Sequence, residues 1–420
     1  MRYRVLGMIL AGGKGSRLAP LTAYRSKPSV PFGGMYRIID FVLSNFVNSG
    51  IKSLYVLTQF KSQSLVEHLA RAWAGTNLRP GNFIIAVPAQ MQTPGEVWYE
   101  GTADAIYQNL NLVRETQPDF VCVFGGDHIY FMDVTQMLAT HVANEADVTI
   151  SALPVPRAEA GRFGVMETAA DGRVLQFHEK VDNPPPMPSD PERCFASMGN
   201  YVFSRAVLDE MLVRDAADPS SSHDFGADIL PRMVAEGSRV FAYDFEANQL
   251  PGWNEERRNE YWRDVGTLEA FYEANLDLRN LVPQLDLYNR AWPINTLGSS
   301  APPAKYAQDQ DGRPGTAQQS ICGPGSIVCG GGVKGSVLGR NVQVASCAQV
   351  EDSVLFDGVV VGPHCRVLRA IIDKDVVLEA RTDVGYNHAD DVARGWHVTD
   401  GGLTIVPKSP QIRPVTTIAL

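Results

Sequence analysis

The sequence predicts an α/β domain followed by a domain of stacked β-strands, on three observations. Continuously apolar, β-rich runs alternate with helical stretches from the start of the chain to about residue 280. The first run, 5–10, leads straight into Gly12-Gly13-Lys14-Gly15-Ser16-Arg17, a glycine-rich turn with clustered cations. Beyond a proline-rich stretch at 282–314, helix formers thin out and Val, Ile and Gly recur six residues apart.

Strands are expected over 5–10, 53–58, 83–87, 120–124, 148–153 and 197–203. Runs such as Val121-Cys122-Val123-Phe124 are apolar throughout rather than alternating, as in a sheet covered on both faces. Helices are expected over 64–74 and 104–115. The second has Thr102 as its candidate N-cap and carries Ala105, Ile106, Leu110 and Val113 along one face. The alternation reads as a doubly wound, mainly parallel sheet built from 1–281. Pro283, Pro293, Pro302, Pro303 and Pro314 mark 282–314 as an inter-domain connection. Within 315–420 the apolar series runs Ile321, Ile327, Val333; Val344, Val350; Val361, Val367; Ile371, Val377. Glycines at 325, 330, 335, 339, 358 and 362 fall between its members. A six-residue period with small residues at corners points to a parallel β-helix; a β-sandwich with coincidental spacing is the alternative.

Composition narrows the function classes. A chain of 420 residues, 45% hydrophobic and 20% charged, is an ordinary globular protein with room for two domains. Its net charge of −10 argues against a nucleic-acid partner, so cations that bind phosphate have to be concentrated locally. No apolar run reaches the ~18 residues of a membrane span, and no secretory or transit segment is expected ahead of the first strand. The six cysteines lack paired or metal-type spacing and read as reduced thiols, so the expected compartment is the cytoplasm.

The turn at 12–17 is neither a P-loop nor Gly-x-Gly-x-x-Gly, yet its glycines admit a polyphosphate and its cations neutralise one. A basic turn without a ligand remains the bland reading. Arg17 forks phosphate oxygens and Lys27 acts as a point charge, although either alone is ordinarily a surface cation. The run 120–124 ends in Gly125-Gly126-Asp127, which sets a carboxylate at a strand's carboxyl end, fit for Mg²⁺ or for a plain turn. Asp264 is a weaker second carboxylate, since Arg263 offers it a partner. Gly101-Thr102 opens a helix, where its donors suit a nucleotide or merely cap the helix. Lys180, after Glu179, is a candidate for a sugar phosphate or an exposed lysine. No Ser/His/Asp or Cys/His spacing suggests covalent catalysis. His128, beside Asp127, is not needed as a base, because a phosphate oxygen is already nucleophilic.

The wording G-G-x-G-[ST]-R-L-x-P-L-T followed by Lys27-Pro28 resembles the signature of the sugar-nucleotide pyrophosphorylases. Further strings narrow the likeness: Pro31-Phe32-Gly33-Gly34, Tyr36-Arg37-Ile38-Ile39-Asp40-Phe41, Trp98-Tyr99, Gly101-Thr102-Ala103-Asp104-Ala105, Gly126-Asp127-His128-Ile129-Tyr130, Ala196-Ser197-Met198-Gly199 and 261–267. With them the chain resembles the glucose-1-phosphate adenylyltransferases. The resemblance implies a Rossmann-like mixed sheet, mainly parallel, then a left-handed parallel β-helix. It implies synthesis of ADP-glucose and pyrophosphate from ATP and glucose 1-phosphate, a committed step towards glycogen, with Mg²⁺ as cofactor. By the same resemblance Arg17, Lys27 and Asp127 are catalytic, and Asp127 and Asp264 hold the metal. Gly164, Glu179, Lys180, Ser197, Tyr201, Asp224, Phe225 and Trp262 would surround glucose 1-phosphate. Leu10, Ala11, Gly12, Gly13, Gln90, Tyr99, Gly101 and Thr102 would line the nucleotide side.

The resemblance further implies a homotetramer regulated by anionic effectors bound between the domains, through Arg25, Arg37, Arg366 and Arg369. Departures from the family's wording leave Arg17, Lys27, Asp127, Lys180 and Asp264 untouched: in the activator region Tyr24 replaces a lysine and Pro31 a histidine, and elsewhere Glu100 replaces an arginine and Val181 a proline. They favour a smaller activator, such as fructose 6-phosphate or pyruvate, over fructose 1,6-bisphosphate. Two alternatives remain: a pyrophosphorylase for another base or sugar, and a non-catalytic regulatory subunit of the same fold. Acyl transfer by the coil is disfavoured, since His364 is the lone histidine of the clear six-residue repeat.

Overall fold

The computed structural model describes residues 2–75, 79–89, 98–253 and 260–408. Four parallel strands form the heart of the first domain: Phe83–Pro88, Ser53–Thr58, Val5–Ala11 and Phe120–Gly125, adjacent in that order. Arg193–Ser204 pairs antiparallel with Phe120–Gly125 and carries Val148–Pro156 and Gly164–Thr168 along its length. The sheet is therefore mixed, parallel in the half that holds the glycine-rich turn. The chain leaves Val5–Ala11 towards one side and later returns to pair on its other side. That reversal opens a crevice at the carboxyl ends of Val5–Ala11 and Phe120–Gly125.

Two apolar layers cover the sheet. Ile9, Phe46, Phe124 and Val202 belong to one; Leu6, Ile106, Val123 and Phe203 belong to the other. This explains the uninterrupted apolar run 121–124, whose side chains alternate between two dry faces. The helix expected over 104–115 is in fact two, Thr102–Tyr107 and Leu110–Thr116. Asn109 breaks it: its side-chain amide donates to the Ala105 carbonyl at 2.8 Å and to Tyr99 Oη at 2.9 Å. The N-cap is Gly101 rather than Thr102, which is the first helical residue.

Three sheets of two- and three-residue strands, parallel except for the edge strand His397–Val398, wind through the second domain, as in a left-handed β-helix. Successive turns stack Val328 on Val344, Val361 and Leu378 along one face. The six-residue phase is one residue out at four positions. Ile327 and Val377 are exposed, and their neighbours Val328 and Leu378 fill the interior instead. Ile321 and Ile371 also point outward, but they pack against the first domain while Cys322 and Ile372 face the coil's core. The strand Lys305–Ala307 already pairs with Ile327–Cys329, so the coil starts within the stretch expected as connection. Trp292 and Ile294 of that stretch are buried with Phe41, Phe271, Val354 and Phe356 between the domains. Each such side chain contributes roughly 1.5–3 kcal/mol by burial, which docks the coil firmly. Among the described residues no helix is long and apolar enough to cross a membrane.

Candidate active site

A cavity of about 960 Å³ occupies the crevice, with the glycine-rich turn on one wall and Glu179, Ser197 and Asp224 on the other. A second cleft of about 950 Å³ lies at the opposite ends of the strands, around Tyr3, Ile51 and Leu138. Its lining includes no carboxylate, so it lacks the convergent charges of the first.

The turn is shaped by close approach. Gly15 has φ +60, and a Cβ there would press on Lys27 Cβ at 3.1 Å. The Gly15 carbonyl accepts the Thr22 hydroxyl at 2.9 Å, closing the loop so that Ser16–Leu18 forms a single 3₁₀ turn. Gly126 donates to the Leu10 carbonyl at 2.9 Å, which ties the two strand ends together. A Cβ at Gly126 would lie 2.9 Å from Ile39 Cδ1 and 3.2 Å from the Leu10 carbonyl oxygen, so any larger residue would push on the core beneath Asp127.

At the floor Lys27, 5% exposed, sits between two carboxylates. Its Nζ is 2.9 Å from Asp127 Oδ2 and 2.6 Å from Asp264 Oδ1. The short strand Trp262–Arg263 pairs with Ile129–Tyr130, and this pairing carries Asp264 across more than a hundred residues to Asp127. Burial works against the Lys27 charge, yet Asp127 and Asp264 outweigh it and leave its pKa raised. For Asp127 burial would favour the neutral form, but the neighbouring His128 and Lys27, with the Lys27 hydrogen bond, hold it well below the ordinary carboxylate range. Burial pushes the His128 imidazole down, so at neutral pH it is uncharged and Lys27 supplies the positive charge. Arg17 stands at the mouth, its Nη2 3.8 Å from Asp264 Oδ2 and its side chain 71% exposed, free to meet a ligand.

Asp127, His128 and Asp264 offer oxygen and nitrogen atoms within 4.8 Å of one another. Two carboxylates beside a glycine-rich, cationic turn suit a hard divalent cation. The His128 ring packs on Trp262 with centroids 4.9 Å apart, and its Nδ1 has no hydrogen-bond partner. His128 was legible only as the neighbour of Asp127; the sequence carried no sign that it faces Asp264.

The opposite wall is built from three segments. Gly164 abuts Glu179, since a Cβ there would meet Glu179 Oε2 at 2.8 Å and Phe177 Cζ at 2.7 Å. Lys180 has φ +51, and its Nζ pairs with Glu179 Oε1 at 2.9 Å, which raises its pKa. The ladder of Arg193–Ser204 with Val148–Pro156 slips between Ser197 and Tyr201, around Gly199 at φ +71. That irregularity turns Ser197 and Gly199 towards the cavity. Asp224 caps the next helical turn, accepting from Gly226 and Ala227, and also receives the Thr102 hydroxyl at 2.9 Å.

Leu10, Ala11, Gly12, Gly13, Tyr99, Gly101, Thr102, Gly164, Glu179, Lys180, Ser197, Tyr201, Asp224 and Trp262 all line the cavity with Arg17, Lys27, Asp127 and Asp264. Phe225 does not: it is buried 5.5 Å from the Tyr201 ring and 5.4 Å from that of Phe203, bracing the wall from behind. Gln90 lies outside the described residues.

The four arginines expected at the domain junction separate into two groups. Arg25 is buried and its Nη2 pairs with Asp373 of the coil at 2.8 Å. Arg37 donates to Ser64 at 2.7 Å, and burial lowers its pKa. Arg366 is instead engaged by Asp383 and the Tyr386 ring, and Arg369 lies over Tyr272. The cations that the coil brings near Arg25 and Arg37 are Arg340 and Lys374, which the sequence reading missed. Lys374 is pushed down by burial and by that crowding, and Arg25 Nη1 and Arg340 Nε are buried without an acceptor.

A doubly wound sheet whose switch-point crevice holds a phosphate-type turn, a buried lysine and paired carboxylates defines a nucleotidyltransferase. The nucleotidyl transferase family matches residues 6–280, and the GlmU-like C-terminal hexapeptide family matches 302–406. The glucose-1-phosphate adenylyltransferase of Thermus thermophilus is 53% identical over 411 residues, covering 97% of this chain and 99% of the relative. Those of Deinococcus radiodurans and Vibrio vulnificus are 51% and 48% identical, each over 97% of this chain and 99% of its own length. The chain belongs to the glucose-1-phosphate adenylyltransferase family.

Proposed function

We propose that this chain makes ADP-glucose and pyrophosphate from ATP and glucose 1-phosphate. The observation that carries the reading is Lys27, held between Asp127 and Asp264 at the base of the glycine-rich turn. An oxygen of the sugar phosphate forms a bond to the α-phosphorus as the bond to the bridging oxygen breaks. Pyrophosphate leaves with that electron pair. Both reactants are anions, so neutralisation and alignment supply most of the rate. Lys27 and Arg17 meet the triphosphate, while the backbone of Leu10–Gly13 with Tyr99, Gly101 and Thr102 receives the nucleoside. Glu179, Lys180, Ser197, Tyr201, Asp224 and Trp262, with Gly164 leaving room, grip the sugar phosphate. Asp127 and Asp264 are the residues that would hold Mg²⁺, which when bound offsets charge on the phosphates.

The buried, unpaired guanidinium atoms of Arg25 and Arg340, beside Arg37 and Lys374, support binding of an anionic effector between the domains. A sugar phosphate or small carboxylate suits the departures at Tyr24 and Pro31. Assembly as a homotetramer belongs to the same reading, and its mass in solution checks it. The substrate assignment is tested by steady-state rates with ATP, UTP, dTTP and GTP against glucose 1-phosphate. Strong preference for ATP supports it; a preference for another base transfers the chain to a different specificity.

A further inference from the structure

The loop that closes the sugar side contains a residue with no part in the chemistry above. His223 has φ +57, a left-handed backbone that side chains other than glycine rarely adopt. Its Nδ1 lies 2.8 Å from Asp215 Oδ2, at the end of helix Arg205–Ala216, and that carboxylate is 3% exposed. The other Asp215 oxygen accepts the Ser221 hydroxyl at 2.7 Å, and Ser221 Oγ accepts the His223 amide at 3.0 Å. Asp215 thus grips the loop from both ends of a three-residue segment.

On its other side the His223 carbonyl accepts the amides of Ala103 at 2.8 Å and Asp104 at 3.3 Å, in the first turn of Thr102–Tyr107. Gly101 packs so tightly there that a Cβ would collide with the His223 carbonyl oxygen. The next residue is Asp224. Its Oδ2 receives the Thr102 hydroxyl at 2.9 Å, and Thr102 Oγ1 accepts the Phe225 amide at 3.0 Å. The hydrogen bond and charge of Asp215, with Asp104 and Glu100 facing the ring from the other side, raise the His223 pKa against its burial.

We propose that His223 is a positioning residue: its imidazole, anchored on Asp215, aligns the Asp224 carboxylate and the Thr102 hydroxyl across the two substrate halves of the cavity. The inference rests on the assignment of Asp224 to the sugar side made above. Cutting the anchor frees Asp224 without removing any group that touches the reacting phosphates. Its cost therefore falls on sugar-phosphate binding rather than on the bond-making step.

The test uses the full chain with Mg²⁺, initial rates at varied ATP and varied glucose 1-phosphate, and thermal melting alongside. His223→Ala is expected to raise KM for glucose 1-phosphate about tenfold, the loss of one charge-assisted hydrogen bond, with kcat within about threefold. His223→Asn, whose amide nitrogen stands where Nδ1 does and which tolerates the left-handed backbone, recovers most of that loss. Thr102→Ala cuts the same clasp without touching His223: it raises the same KM, beside any change in KM for ATP from its place on the nucleoside side, and combines sub-additively with His223→Ala in KM for glucose 1-phosphate. Should His223→Ala fail to fold, Thr102→Ala and His223→Asn carry the comparison. An active parent whose variants keep the parental KM, losing only melting temperature or kcat, overturns the inference alone. A parent that makes no sugar nucleotide overturns the substrate reading and the inference with it.

Discussion

Replacing Lys27 by methionine removes the cation between Asp127 and Asp264 and leaves a side chain of similar length. At 2.9 and 2.6 Å, each attraction amounts to about 6 kcal/mol at an effective dielectric of about 20. The carboxylates are 36% and 28% exposed, so water screens much of this, and desolvation of the ammonium opposes it. The net loss in folding stability is about 2–4 kcal/mol. The kinetic cost, one fixed cation missing where phosphate charge develops, is about 100-fold in turnover.

The pH dependence has a definite sign. Asp127 has a depressed pKa, so its contribution is present above the ordinary carboxylate value and is lost as pH falls through the depressed one. Lys27 has a raised pKa, so its contribution is complete below the ordinary lysine value and stays intact across neutral pH. In the variant two carboxylates whose oxygens lie within 4.8 Å are left to repel each other. The stability gap between parent and variant is therefore widest at about pH 6–8 and narrows below about pH 4. Thermal melts across that range and pyrophosphate release at saturating substrates are the assays. A variant that melts with the parent at neutral pH and turns over within about threefold of it would refute the reasoning.

Other consequences are as direct. Asp264→Asn should weaken Mn²⁺ binding, followed by paramagnetic titration, and lower turnover about 100-fold. Gly164→Ala drives a methyl against Glu179 and Phe177, so KM for the sugar phosphate should rise well above any change in KM for ATP. In the coil, Leu378→Ala should cost about 2–4 kcal/mol, whereas Val377→Thr, at an exposed position, should cost within about 0.5 kcal/mol. Equal effects at 377 and 378 would contradict the observed phase of the coil.

The parallel strands were legible because strands dry on both faces are apolar without interruption, and Val121-Cys122-Val123-Phe124 needs no context to be recognised. The helix break was not, since it depends on Asn109 turning its amide onto Ala105 rather than into water. The coil's period was visible, and its phase held at Val333, Val344, Val350, Val361 and Val367 but not at four other positions. At 321, 327, 371 and 377 two apolar residues stand side by side, and a strand's alternation sends only one of each pair inward. Asp127 followed from its place at a strand end, whereas Asp264 needed the pairing of Trp262–Arg263 with Ile129–Tyr130 to acquire meaning. Arg340 and Lys374 reach the junction only because the coil docks on the first domain, a contact that no local pattern encodes.

The most direct measurement is the turnover of Asp127→Asn with ATP, glucose 1-phosphate and Mg²⁺, beside its circular dichroism. A site built on Asp127, Asp264 and Lys27 predicts a native spectrum and a rate at least about 100-fold below the parent. A native spectrum with a near-parental rate would show that catalysis does not run through Asp127.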